Sequence, residues 1–227
     1  MPPSLLSSCV ADAGIAFCFA PAHHPAMKYA GAVRKELGIP TVFNVLGPLS
    51  NPGQPEASLL GCADLRLAPV LAQVQLERGF RSIVVRSLDG LDEFSTSAPT
   101  QVWDVTSGDL REEFITPESL GLAPATVEEL RGGDAKFNAQ VVLNVLSGRN
   151  HGNYRAIRDV VALNAAATMV AYDAAKGEQR FGYVTDSLVS RIEQALPTAY
   201  GSIDSGAAST QLEVWASVSQ RFALSGQ

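Results

Sequence analysis

The chain has 227 residues, 46% hydrophobic and 18% charged, enough to bury a real core in one large domain or two small ones. Its formal net charge of -6 and sequence pI near 5.1 argue against a long basic surface for nucleic acid, so partners are sought among small molecules and other proteins. No stretch reaches the roughly 18 uninterrupted apolar residues of a membrane helix, and no basic segment precedes an apolar one at the amino terminus, so a soluble, unexported, cytoplasmic protein is expected.

In chain order, "GIAFCFA" (14–20) reads as a buried strand and "AMKYAGAVRKELG" (26–38) as a helix stopped by Gly38 and Pro40. "TVFNVL" (41–46) reads as a second short helix ending at Gly47-Pro48, and "LSNPGQP" (49–55) as a loop. "SLLGCA" (58–63), "LAPVLAQVQLERG" (67–79) and "SIVVRS" (82–87) give strand, helix, strand, the β-α-β signature of a parallel sheet. "TQVWDVTSGDLREEFIT" (100–116) alternates apolar and polar residues around Ser107-Gly108 and reads as an attached β-hairpin. Helices are expected over 139–148, 158–177 and 186–196, with a last one from about 209 to 222 that Asp204 and Ser205 help to cap. Cys9, Cys18 and Cys62 are odd in number and show no Cys-x-x-Cys spacing, which reads as reduced thiols acting as small buried hydrophobes.

Two places carry chemistry. "SLDGLDEFS" (87–95) follows a β-branched strand and packs three carboxylates, Asp89, Asp92 and Glu93, into five positions. Loops at the carboxyl ends of parallel strands are where ligands bind, and adjacent acids there suit a divalent cation. The alternative reading is a solvated acidic turn closed by Asp-Gly. In the helix at 26–38, Met27, Ala30, Gly31 and Arg34 fall at i, i+3, i+4 and i+7, so Arg34 lies on the small and apolar face. A guanidinium there needs an anion, either a structural carboxylate or a substrate carboxylate gripped by its two-pronged donors.

"FCFAPAHHPAMKYAGAVRKELGIPTVFNVLGPLSNP" (17–52), "DGLDE" (89–93), "GGD" with "NA" (132–139), "RDVVALNAAA" (158–167) and "SIDSGAA" (202–208) together resemble anthranilate phosphoribosyltransferase, the second-step enzyme of tryptophan biosynthesis. The resemblance runs over essentially the whole chain. It implies an α/β fold: a mostly parallel sheet flanked by helices with an attached hairpin, like the large domain of the nucleoside phosphorylase/phosphoribosyltransferase fold. It places residues 26–48 with the family's small helical domain. It further implies a magnesium ion, held by Asp92 and Glu93 on the diphosphate of phosphoribosyl pyrophosphate. Arg34, His24, Gly47 and Pro48 would line the anthranilate channel, and His23, without such a counterpart, would be a solvated surface residue. The implied reaction is displacement of pyrophosphate from the anomeric carbon by the anthranilate amine through an oxocarbenium-like transition state. No residue is assigned a covalent or proton-transferring role. The family is homodimeric through its small helical domain.

Departures from the family pattern set further expectations. The family's Gly-Thr-Gly-Gly-Asp phosphate loop and Lys-His-Gly-Asn-Arg loop do not occur in these residues, and "RGGD" (131–134) reads as a turn rather than a substitute. Met1 then falls inside the usual domain, and residues 1–227 read as an incomplete phosphoribosyltransferase domain, the carboxyl-terminal two-thirds, with little or no activity alone. Two alternatives stand beside this: a non-catalytic fragment or partner subunit, and a related nucleoside phosphorylase, which Asp92-Glu93 argue against. Arg86-Ser87 replace the usual His-Gly ahead of the acidic motif, so Arg86 is expected to pair with Asp89 or with phosphate. "SGRNHGNYRAIRD" (147–159) is longer than the usual connection and reads as a solvated loop carrying His151 and Arg155.

Overall fold

The computed structural model describes residues 2–25, 29, 36–38, 47 and 49–225. The expected helices at 26–38 and 41–46 fall largely outside these, as do Arg34 and Pro48. The principal elements are α1 (Leu6–Ala13), β1 (Ala57–Gly61), α2 (Ala68–Glu77), β2 (Arg81–Ser87), β3 (Thr100–Asp104), β4 (Arg111–Ile115), α3 (Ala135–Leu146), α4 (Asn153–Lys176), α5 (Leu188–Asp204) and α6 (Ala207–Ser225). Two compact units result: Met1–Gln54 with Ala207–Gln227, and Pro55–Gly206.

The larger unit is built on a sheet of order β1-β2-β3-β4. β1 and β2 run parallel with Leu59 opposite Ile83, and β2 pairs antiparallel with β3, Val84 opposite Trp103. β3 and β4 are the expected hairpin. The sheet is therefore mixed, one parallel pairing joined to an antiparallel ribbon.

Alternation along β2 directs its residues to two sides. Ile83 and Val85 join a core with Ala162, Leu163, Ala166 and Ala167 of α4 and with Leu188, Ile192 and Ala195 of α5. On the other side Ser82 donates to Gln75 of α2 at 3.4 Å. Helices thus cover both faces, which is why β2 reads as a continuous apolar run. The alanines of α4 let a 24-residue helix lie close against β1 and β2.

α5 is bolted to the hairpin by charge. Arg191, 2% exposed, donates to Asp104 Oδ2 at 2.7 Å and to Thr106 Oγ1 at 2.9 Å, and Asp104 Oδ1 accepts from the Thr106 hydroxyl at 2.6 Å.

In the smaller unit α1 and α6 pack through Cys9, Ala13 and Val218, with Trp215 and Phe222 partly buried against them. Gly14, at φ 70, ends α1 in the left-handed conformation. Gln211 donates to the Ala13 carbonyl, and Arg221 pairs with Asp12.

Three expectations change. The strand expected at 14–20 does not form: residues 15–19 have no regular structure, and Phe17 and Phe19 are 64% and 57% exposed, their rings stacked 6.4 Å apart. An apolar run becomes a strand only where a neighbour takes its backbone hydrogen bonds, and none does here among the described residues. The solvated loop expected over 147–159 is confined to 147–152, because α4 begins at Asn153. Tyr154 accepts from Asn144 of α3 at 2.8 Å and Arg155 pairs with Asp159 at 3.2 Å, so those basic and aromatic groups are used internally. The helix expected at 186–196 continues through Pro197 to Asp204, since packing on α4 outweighs the lost backbone donor.

Candidate functional site

β1 and β2 end side by side, and pairing continues one residue past β1, where Cys62 N–H donates to the Val85 carbonyl at 3.0 Å. The Ser87–Pro99 loop then folds back over the end of β1. It comes so close that a Cβ built at Gly61 would overlap the Asp92 carbonyl oxygen. Glycine at 61 is therefore a condition for placing Asp92 there.

Asp89 organises the loop from within. Its Oδ1 accepts from the Leu91 amide at 3.1 Å, and its Oδ2 accepts from the Ser95 hydroxyl at 2.7 Å and from the Ser97 hydroxyl. Ser87 N–H donates to the Leu91 carbonyl at 2.9 Å, and Gly90, at φ 97, makes the turn. Burial pushes the Asp89 carboxyl up, but the Ser97, Ser95 and Leu91 donors outweigh it and hold its pKa below the ordinary aspartate value. Asp89 is thus committed to structure.

Asp92 and Glu93 are not. Both are exposed, and among the described residues neither carboxylate receives a hydrogen bond or an ion pair. Partial enclosure of the Glu93 carboxyl pushes its pKa above the ordinary glutamate value, and the charges of Asp92 and Asp89 push it further. Two adjacent acids that repel each other and point to solvent are a configuration that a cation relieves.

Immediately after the pair the chain is fixed again. Asn164 of α4 accepts the Phe94 N–H at 3.0 Å and donates to the Phe94 carbonyl at 2.9 Å, while the Phe94 ring is 1% exposed in the core. Neither this clamp nor the role of Gly61 was visible in the sequence: Asn164 stands in the "LNAAA" stretch without any signal of what it holds.

Arg86 does not pair with Asp89. Its Nε donates to the Ala63 carbonyl at 3.0 Å, anchoring the guanidinium beside the end of β1. Cys62 is buried there, and burial, with the charges of Asp64 and Asp92, pushes its thiol up despite its own hydrogen bond to the Asp64 carbonyl. Cys9 is buried as expected, whereas Cys18 is half-buried.

A magnesium ion can be tested against this donor set. Among the described residues no group of three or more His, Cys, Asp or Glu converges to hold a metal. A pair of exposed carboxylates is nevertheless the usual protein share of a magnesium site, the remaining ligands being phosphate oxygens and water. Asp92 and Glu93 fit that role.

His24 and Gly47 belong to the smaller unit, Asp92 and Glu93 to the larger. His24 ends a helical turn, Ala20–His23, its N–H donating to the Ala20 carbonyl at 2.9 Å, and both His24 and His23 are half-buried. The Gly47 carbonyl accepts from the Ser50 amide at 3.3 Å and from its hydroxyl at 3.4 Å.

Comparison with known proteins bears on what the acid pair serves. The family profile described as "Glycosyl transferase family, a/b domain" matches residues 1–209. The chain belongs to this glycosyl transferase family. Among its relatives, an anthranilate phosphoribosyltransferase of Nocardia farcinica is 45% identical over 217 residues, 96% of this chain and 61% of the relative. A solved anthranilate phosphoribosyltransferase of Saccharomyces cerevisiae in complex with 4-fluoroanthranilate is 31% identical, with a TM-score of 0.80 over 97% of this chain and 59% of its own. The same yeast enzyme in complex with PRPP and Mg gives a TM-score of 0.78 at 31% identity, over 97% and 57% of the two chains. This glycosyl transferase chain thus spans about three-fifths of the length of the relatives it matches. The same comparisons support the α/β fold inferred from the sequence. No helix among the described residues is long and apolar enough to cross a membrane.

Proposed function

We propose that the chain serves the transfer of a phosphoribosyl group from phosphoribosyl pyrophosphate to the amine of anthranilate, the reaction named in its relatives, in tryptophan biosynthesis. The observation that carries this reading is the uncompensated pair Asp92-Glu93 at the carboxyl end of a parallel strand, on a loop tied down on both sides. In this reading Asp92 and Glu93 hold a magnesium ion on the diphosphate; when bound, that ion neutralises charge on the leaving pyrophosphate. The chain's own part is to fix the diphosphate through a rigid loop and to orient the amine. Arg34 would grip the anthranilate carboxylate, with His24, Gly47 and Pro48 lining the approach. Residues 26–48 would belong to a small helical domain that carries a homodimer contact, and residues 1–227 to an incomplete phosphoribosyltransferase domain.

The 227 residues contain no Gly-Thr-Gly-Gly-Asp loop, so the chain by itself is proposed to bind more readily than it turns over. Calorimetric titration with phosphoribosyl pyrophosphate should show binding that requires Mg2+ and is lost in Asp92→Asn/Glu93→Gln. Loss of anthranilate fluorescence in the same mixture should be slow. Binding indifferent to Mg2+ and to both substitutions would refute the reading, and fast turnover would refute the claim of low intrinsic activity.

A further inference from the structure

We infer that Asn164 is a positioning residue for the acid pair, setting the direction in which Glu93 presents its carboxylate to a cation-bound diphosphate. The inference rests on the diphosphate reading above and deepens it.

The N–H that Asn164 Oδ1 accepts at 3.0 Å belongs to the peptide link between Glu93 and Phe94. Holding that peptide plane holds ψ of Glu93, and with φ limited by sterics the Cα–Cβ direction follows. The Nδ2 group donates to the Phe94 carbonyl at 2.9 Å, so the next peptide link is fixed as well. Its second proton goes to the Val160 carbonyl, also at 2.9 Å, which locks the amide's own rotamer onto α4. A third oxygen contact ties the same turn together, as Thr168 Oγ1 donates to the Asn164 carbonyl at 2.8 Å. The helix bearing Asn164 cannot drift, because its neighbours Ala162, Leu163, Ala166 and Ala167 are at most 1% exposed in the core. On the near side Asp89 accepts from the Leu91 amide, and its other oxygen reaches past the pair to accept from the Ser95 and Ser97 hydroxyls. Asp92 and Glu93 are thus the free stretch between Leu91, whose carbonyl accepts the Ser87 N–H of β2, and Phe94, which Asn164 holds from α4, with the Ser95 N–H beyond it donating to Thr100 of β3 at 3.3 Å.

Burial of the Phe94 ring alone would anchor the loop in depth, but an apolar contact fixes no peptide orientation. The side-chain amide does, since it uses a donor and an acceptor on opposite sides of one residue. Groups that orient a metal-binding carboxylate act on affinity without touching the ion.

The test titrates Mn2+ with inorganic pyrophosphate into the 227-residue chain, reads the dissociation constant by calorimetry, and follows hydrogen exchange of the Phe94 amide. In Asn164→Ala the dissociation constant should rise about tenfold and the Phe94 amide should lose protection. Asn164→Gln, which keeps the amide but displaces it by one methylene, should fold and fall between the two. Glu93→Gln should weaken binding, and Asn164→Ala added to it should change affinity little further, because both act through the same carboxylate. If Asn164→Ala or Asn164→Gln exposes the Phe94 amide yet binds with parental affinity, the clamp is structural only and the inference is overturned. If Glu93→Gln leaves the parental affinity unchanged, the diphosphate reading itself fails, whatever the Phe94 amide does, and the inference falls with it.

Discussion

At Gly61 a single hydrogen stands where any other residue would carry a Cβ, and the Asp92 carbonyl occupies that space. Gly61→Ala should push the acidic loop off the end of β1, costing about 1–3 kcal/mol in chemical denaturation and weakening cation binding as well. A loss of stability with unchanged cation affinity would show that the loop tolerates the displacement. Asp89 and Glu93 lie four residues apart and respond to acid in opposite senses. The folded pKa of Asp89 is depressed, so its contribution is fully present above the ordinary aspartate value and is lost as pH falls through the folded pKa. That of Glu93 is raised, so protonation comes earlier on acidification, relieves the repulsion from Asp92 and abolishes the cation site. Acidification should therefore remove cation binding before it removes exchange protection of the Leu91 amide. The reverse order in a pH series of the two readouts would overturn this assignment.

Among elements, the hairpin and α5 are joined by a buried ion pair. Asp104 and Arg191 are 1% and 2% exposed and meet across the two elements at 2.7 Å. Removing one partner strands the other charge without water, so Arg191→Leu should cost about 3–5 kcal/mol. Asp104→Leu/Arg191→Leu should recover part of that loss, because it leaves no buried charge behind, while the buried Thr106 amide and hydroxyl lose their acceptor. Denaturant midpoints of the three proteins check this, and a double variant as unstable as the single one would contradict it. The hairpin was legible in the sequence from its alternation and Ser107-Gly108 turn. Its tie to α5 was not, because Asp104 and Arg191 lie 87 positions apart with no shared motif. The stretch at 14–20 failed for a related reason: composition marks a segment as apolar, but a partner strand decides whether it is paired.

For the whole molecule, the division into two units sets an expectation about unfolding. Each contains one tryptophan: Trp103 is buried in the sheet of the larger unit, and Trp215 packs against the small cluster of Cys9, Ala13 and Val218. Among the described residues the larger unit has the more extensive core, so it should open at the higher free energy. Fluorescence of Trp215→Phe, which reports Trp103, should show a higher urea midpoint than that of Trp103→Phe, read against a common far-ultraviolet signal. Coincident midpoints in both variants and in the parent would instead mean one cooperative unit.

The α/β class, the β-α-β unit, the hairpin and the acidic loop are all encoded locally, because each depends on periodicity or on residue types within one stretch. The sequence also carried the family resemblance, which a match over residues 1–209 supports. Which of three nearby acids is spent and which are free depends on the folded loop. Asp89, Asp92 and Glu93 look equivalent in "DGLDE", yet Asp89 is consumed by serine hydroxyls and a main-chain amide. Glycine at 61 and asparagine at 164 became meaningful only when folding brought them to the loop. Their contacts span 31 and 70 positions, and no periodicity in a chain encodes a partner at such distances.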